Sequence, residues 1–316
     1  MLSPLSVMTH SLSKQRYWVT GCSGFLGWNL CRWLVKNRGD HSEVIGTYHR
    51  QAIAIPQVQT LPLDLTDKTA IADFLDQVQP TAVFHLAAAA RPNWCQTHPE
   101  QSHIVNVTAT LDLAAQCADR KIDLIFTSTD LVFDGLTGNY AEDNPVSPVC
   151  LYGEQKVLAE RGICDRHPTA KICRLPLMFG NAPATSTSFL QGFVNVLRSP
   201  DDPLFAFVDE FRTPVSAQDA AAGLVLALEN DISPINGQRC LHLGGPERLS
   251  RYDFAQYLAI ALHLPLERVQ AGWQSHVSMP APRSPDTSLN SQRAFSLGYH
   301  PASIQRRLKT VIGALP

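Results

Sequence analysis

Thr20-Gly21-Cys22-Ser23-Gly24-Phe25-Leu26-Gly27 is the stretch whose reading decides the fold. Before it, Tyr17-Trp18-Val19-Thr20 is an apolar run of strand character, and from Phe25 to Lys36 apolar residues recur at helical spacing. The glycines therefore sit in a strand–turn–helix context. A glycine there lets the backbone turn tightly, lets a pyrophosphate approach, and lets the helix pack close to the strand. The helix N-terminus then offers unbonded N–H groups and a favourable dipole to the phosphate. The spacing is G-x-x-G-x-x-G rather than G-x-G-x-x-G. Glycines at this spacing are a weak signal by themselves, since an ordinary turn would also carry them; the flanking strand and helix are what point to a dinucleotide loop.

Outward from this loop, short apolar runs alternate with helical patterns. Further strands are predicted at 44–48, 59–63, 81–86, 123–127 and 170–175, and helices over 67–77 (with Thr66 as its cap), 104–118 and 149–161. This alternation predicts an α/β fold with a parallel, doubly wound sheet of Rossmann type. Crossovers of this length are right-handed as a rule. After Leu175 proline and glycine punctuate the chain, leaving helices over 217–228, 252–262 (capped by Ser250) and 304–312 and a strand at 239–243. The expected organisation is a flexible leader over 1–14, a dinucleotide-binding domain over 15–175 and a smaller substrate-binding lobe over 176–316, partly interleaved with the sheet domain.

Composition excludes several classes of function. The chain has 316 residues, 45% of them hydrophobic, with a formal net charge of -2, so there is no global basic field to suit nucleic acid. No stretch approaches the ~18 uninterrupted apolar residues of a membrane span, and the Ser-rich leader lacks a signal-peptide core. The eight cysteines form no C-x-x-C pair. They read as reduced thiols of a cytoplasmic protein. The eleven histidines contain no H-x-x-x-H or H-E-x-x-H pattern, so no metal is expected, and His85 reads as a packed, hydrogen-bonded strand residue.

Two constellations carry the chemistry. Tyr48-His49-Arg50 follows the second strand, where an acidic residue would favour the ribose hydroxyls of NAD. Arg50 beside His49 suits a 2′-phosphate instead, so NADP(H) is expected, with NAD(H) as the second candidate; a solvated loop charge is the plain alternative. Asp64 and Leu65 are placed to contact adenine. Tyr152 and Lys156, four apart in a helix, share one face. A phenol of ordinary pKa near 10 needs a neighbouring ammonium or bound nicotinamide cation to lower it before it exchanges protons easily at pH 7. Such a Tyr can protonate the oxygen formed when hydride reaches a carbonyl carbon. Ser128-Thr129-Asp130 ends the fifth strand, on the edge where open parallel sheets place their sites. Y-x-x-x-K alone is a very weak pattern, and a surface helix pair would show it too; its order after the glycine loop and the Ser/Thr strand end gives it value.

On these residues the chain resembles the extended short-chain dehydrogenase/reductase family over nearly its whole length. Thr20 to Gly27 match the TGxxGxxG loop and Tyr152 and Lys156 the YxxxK; Leu86-Ala87-Ala88 match the Ala-rich turn lining the cofactor, and Asn106 the Asn of the following helix. Ser128-Thr129-Asp130-Leu131-Val132-Phe133-Asp134-Gly135 is similar to the STDYVFDG of the dTDP-4-dehydrorhamnose reductase subgroup, with Leu131 replacing Tyr. The segment Arg174 to Gly180 also fits that subgroup. The resemblance implies an NADP(H)-dependent oxidoreductase reducing a nucleotide-linked 4-keto sugar, as in dTDP-rhamnose biosynthesis. It implies Thr129, Tyr152 and Lys156 as catalytic residues. It assigns Gly21, Cys22, Ser23, Gly24, Phe25, Leu26, Gly27, His49, Arg50, Asp64, Leu65, Leu86, Ala87, Ala88, Asn106, Tyr152, Lys156 and Leu175 to the cofactor. Thr129, Asp130, Arg212 and Arg283 fall to the substrate, the two arginines pairing with its pyrophosphate. A homodimer is the assembly common among relatives. Ala90-Arg91-Pro92-Asn93-Trp94-Cys95 departs from the reductase pattern and is closer to the methionine adenosyltransferase β subunit, a regulatory relative. A cofactor-bound regulatory subunit is thus the binding-class alternative, and a nucleotide-sugar epimerase or dehydratase the enzymatic one. Leu131 after Asp130, where a Glu would assist elimination, weighs against the dehydratase.

Overall fold

The computed structural model describes residues 14–199 and 202–313; the leader assigned to 1–14 lies outside them apart from Lys14. The first half runs β1 (Gln15–Thr20), α1 (Phe25–Arg38), β2 (Ser42–Tyr48), β3 (Gln59–Pro62), α2 (Lys68–Val78), β4 (Ala82–His85), α3 (Pro92–Thr97), α4 (Pro99–His103), α5 (Ala109–Asp119), β5 (Asp123–Thr129), α6 (Leu151–Arg166) and β6 (Lys171–Leu175). The second runs β7 (Met178–Phe179), α7 (Phe189–Arg198), β8 (Leu204–Phe207), β9 (Phe211–Arg212), β10 (Val215–Ser216), α8 (Ala217–Glu229), β11 (Arg239–His242), β12 (Leu249–Ser250), α9 (Arg251–Ala261), β13 (Val269–Gly272), α10 (Gln292–Ser296) and α11 (Ile304–Ile312).

The sheet has seven strands in the order β11-β6-β5-β4-β1-β2-β3, and every neighbouring pair in it is parallel. β1 and β4 are neighbours, and from them the order runs outward both ways. That reversal opens a crevice at the carboxyl ends of the strands. One face buries Leu30, Leu34 and Leu224 from α1 and α8; the other buries Ile71, Leu113 and Ile163 from α2, α5 and α6. β11 comes from the second half of the chain and completes the sheet beside β6.

Four local features differ from the sequence reading. The cap of α2 is Asp67, whose Oδ1 accepts from the amides of Thr69 and Ala70 at 2.9 and 3.0 Å; Thr66 instead donates to Asp64 Oδ1. The helix expected over 104–118 begins as a π turn, Ile104–Thr108, with Ala109 N bonding to Ile104 O. Two short helices, α3 and α4, precede it, each opened by a proline. α7, not read from sequence, is held by a capping box of Ser188 and Gln191, and packs with α9 and α11 in a separate core around Phe254 and Leu258.

Candidate active site

The glycine loop is built by contact distances. Gly21 has φ +70°, a left-handed conformation glycine adopts freely, and lies against the backbone of Ala87. A Cβ on Gly27 would sit 2.2 Å from Gly21 O, so only glycine lets α1 start this close to the turn. Gly24, the N-cap of α1, has no side-chain cap, and the first turn of α1 carries no acidic residue. Cys22 N is taken by Thr47 O at 2.9 Å and Gly24 N by Gly21 O at 2.9 Å. The first-turn amides of Phe25 and Leu26 have no intrahelical acceptor, and this uncapped, acid-free cradle fits a dinucleotide pyrophosphate. Thr185 Oγ1 donates to Ser23 O at 2.7 Å, drawing the loop before α7 over the cradle.

At the far end of the cradle His49 and Arg50 are both exposed at the carboxyl end of β2. His49 Nε2 lies 3.5 Å from Asp64 Oδ2. Asp64 is held below its ordinary pKa, first by the Thr66 amide and further by His49 and Arg50. Leu65 is half-buried beside it. Leu86, Ala87 and Ala88 form a half-buried turn after β4. Thr20 Oγ1 accepts from the amides of Leu86 and Ala87 at 3.0 and 3.1 Å, so its own proton goes to His85 Nδ1 at 2.9 Å. His85 Nε2 then donates to Thr110 Oγ1 at 2.9 Å. The imidazole is neutral and buried, with its pKa pushed down to about 3 by burial and by Lys156. Asn106, inside the π turn, accepts from Ala89 N at 2.8 Å and donates to Gln155 Oε1 at 2.8 Å. It thereby ties the turn after β4 to the helix that carries Tyr152 and Lys156.

Thr129 ends β5 opposite Leu175 of β6. Its hydroxyl accepts from Leu131 N at 3.2 Å and donates to Asp130 Oδ1 at 3.2 Å. A Cβ on Gly153 would fall 2.2 Å from Leu131 O, so this glycine lets the first turn of α6 press against the loop after Thr129. Tyr152 is buried there among Cys95, Cys150 and Ala281. Burial holds its phenol above the ordinary pKa, with Cys95, Asp130 and Cys150 adding to the effect. The sequence predicts lowering by the ammonium four residues on together with a bound nicotinamide cation; among the protein's own groups burial dominates, and the Lys156 Nζ lies 4.0 Å from the centre of the Phe126 ring. Burial also lowers the Lys156 pKa to about 7, with Glu160 opposing.

Beyond Thr129 lies a buried charge cluster. Asp130 Oδ2 accepts from Thr287 Oγ1 at 2.8 Å and lies 3.3 Å from Arg212 Nε. Arg212 is only 4% exposed and also donates to the carbonyls of Phe211 and Ser284 at 2.6 and 3.2 Å. Arg283 is half-buried, with Nε 3.3 Å from Met279 Sδ. Sequence reasoning does not single out Gln155 or Thr287, whose partners, Asn106 and Asp130, come from distant parts of the chain.

All eight cysteines are free. Among the described residues no His/Cys/Asp/Glu group could hold a metal ion, and no helix is long and apolar enough to cross a membrane.

Residues 15–315 match the model of a family described as the RmlD substrate binding domain. "Probable low-salt glycan biosynthesis reductase Agl14" of Haloferax volcanii is 31% identical over 271 residues, covering 84% of this chain and 86% of that protein. Methionine adenosyltransferase 2 subunit beta of Xenopus laevis is 26% identical over 290 residues, covering 91% of this chain and 84% of that protein. A solved structure of a hypothetical dTDP-4-dehydrorhamnose reductase from Sulfolobus tokodaii superposes with a TM-score of 0.77 at 27% identity, covering 92% of this chain and 98% of that one. The dTDP-4-dehydrorhamnose reductase of Bacillus anthracis, solved in complex with NADP, superposes at 0.82 with 17% identity over 96% and 100% of the two chains, a likeness of fold.

Proposed function

The chain belongs to the RmlD substrate binding domain family, and from that premise we propose that it is an NADP(H)-dependent reductase of a nucleotide-linked 4-keto sugar. It is an oxidoreductase of the extended short-chain dehydrogenase/reductase type, acting on a CH–OH/keto pair. The observation that carries this reading is the approach of α6 to the strand end. Gly153 against Leu131 O brings the Tyr152 turn beside Thr129, at the same sheet edge as the uncapped glycine cradle. Bound NADPH supplies the hydride.

The remaining chemistry belongs to side chains of this protein. Thr129 Oγ1 turns its proton from Asp130 to the substrate carbonyl and fixes its direction. Tyr152 is kept protonated by burial and gives its proton to the oxygen of the reduced carbon. Lys156, buried behind it, holds the nicotinamide ribose and lowers the cost of the phenolate once cofactor charge is present. Arg50 with His49 takes the 2′-phosphate, and Asp64 with Leu65 lines the adenine. Asn106 keeps the Ala87–Ala89 turn in register with α6. Arg283 faces the substrate diphosphate, while Arg212 holds Asp130 in place.

A turnover assay with NADPH and a panel of 4-keto nucleotide-sugars, dTDP-linked first, tests this. Tyr152→Phe should lower kcat by about 10²–10⁴-fold with NADPH affinity kept; unchanged turnover would remove Tyr152 as the acid. The likeness to the methionine adenosyltransferase β subunits over 91% of this chain favours a second reading, a cofactor-bound regulatory subunit. NADPH binding without consumption across the whole panel selects it.

A further inference from the structure

β9 and β12 pair antiparallel, Leu249 opposite Arg212 and Ser250 opposite Phe211, which sets Arg251 at the edge of the charge cluster. Its backbone N–H is bonded to Glu210 O at 3.0 Å. The Glu210 carboxylate is shared, with Oε1 lying 3.5 Å from both Arg212 Nη2 and Arg251 Nε. The two guanidiniums differ in what else they hold. Arg212 is engaged on every side by Asp130, Glu210 and two carbonyls. Arg251 has Glu210 as its ion-pair partner, and its Nη1 is buried with no hydrogen-bond acceptor.

That nitrogen is not adrift. The Arg251 guanidinium lies over the Phe189 ring, 4.5 Å from its centre and 5.7 Å from that of Phe193, and its side chain is 19% exposed. An unsatisfied buried donor on a charged group is costly and is rarely left without an acceptor. Arg212 and Arg283 both bear on Arg251, against the carboxylates of Glu210 and Asp130. Burial holds the Arg251 guanidinium below its usual pKa, Glu210 opposes this, and Arg212 and Arg283 press in the same direction as burial. An arriving anion reverses that balance.

We infer that Arg251 is the receptor for the diphosphate bridge of the nucleotide-linked substrate, its free Nη1 donating to a phosphate oxygen while Arg212 serves as its brace. This rests on the nucleotide-sugar reading above. The cofactor's own pyrophosphate belongs to the glycine cradle of α1, so the two phosphate sites separate by probe.

The test is calorimetric titration of the full chain, saturated with NADPH, by dTDP, UDP and thymidine. Wild type should bind both nucleoside diphosphates. Arg251→Met, which keeps the packing on Phe189, should weaken dTDP and UDP by about 10- to 100-fold, the loss of one charge-assisted hydrogen bond. Thymidine and NADPH affinities should not change. Arg251→Gln is the second variant, in case the methionine disturbs folding, and should lose the same factor. Wild-type affinity for dTDP and UDP in either variant that still binds NADPH overturns the inference and leaves the reductase reading standing. Failure of the wild type to bind either diphosphate sinks the nucleotide-sugar reading itself.

Discussion

Gly24 and Gly27 lie three residues apart in one loop, yet the structure assigns them different physical work, and a pair of alanine substitutions separates the two. At Gly27 an added Cβ would lie 2.2 Å from Gly21 O, 2.8 Å from Gly21 C and 2.9 Å from Cys22 Cα. All three are backbone atoms, so no rotamer change relieves the overlap. Forced packing of this kind costs about 1–3 kcal/mol. At Gly24 the backbone is extended at φ -80°, open to any L residue, and a Cβ would meet only Gly21 O at 3.2 Å. Losing a glycine N-cap is mildly unfavourable, and reduced freedom of the unfolded chain offsets it at about 0.4–1 kcal/mol. Gly24→Ala should therefore leave Tm nearly unchanged. Its methyl instead stands where the pyrophosphate approaches the first-turn amides. Displacing one charge-assisted hydrogen bond, about 1.5–3 kcal/mol, weakens NADPH by about 10- to 100-fold. Thermal unfolding and NADPH fluorescence titration of both variants make the comparison. Gly24→Ala with native NADPH affinity, or Gly27→Ala with native Tm, would refute the division of labour.

Two further predictions rest on charge. Arg50→Glu should weaken NADPH much more than NADH in the same titration, and an equal loss on both removes the 2′-phosphate contact. Lys156 has its folded pKa lowered from 10.5 to about 7. Between those values the unfolded chain holds the extra proton, so folded stability rises with pH across that window, and the penalty of the buried ammonium is fully present below about 7. Lys156→Met should then melt higher than the wild type at pH 6 without dinucleotide, with the gap closing toward pH 10; a gap constant with pH would contradict the buried-ammonium account.

The inner strands of the central sheet were legible because β1, β4, β5 and β6 each carry a short buried apolar run, a local property. The glycine loop was legible for the same reason: Gly21 and Gly27 answer to neighbours within the turn and at Ala87. Tyr152 and Lys156 could be placed on one helix by counting. What escaped depends on non-local partners. α7 is a ten-residue amphipathic helix bearing Gly192 and is stabilised by packing on α9; its own propensity is unremarkable. The π turn at Ile104–Thr108 holds Asn106 between Ala89 and Gln155, partners that spacing alone does not reveal. Thr66 stands before the helix as a cap would, but its amide and hydroxyl both donate to Asp64 two residues upstream. The raised Tyr152 pKa needed the knowledge that Cys95, Cys150 and Ala281 close over it.

The bond from Thr287 to Asp130 joins residues 157 apart in the chain, and it has a temporal meaning. A polypeptide leaving the ribosome can pack its glycine loop once the Ala87 turn has emerged, but Asp130 waits for the Thr287 segment to arrive. The glycine loop can therefore be complete during biogenesis before the surroundings of Asp130 are.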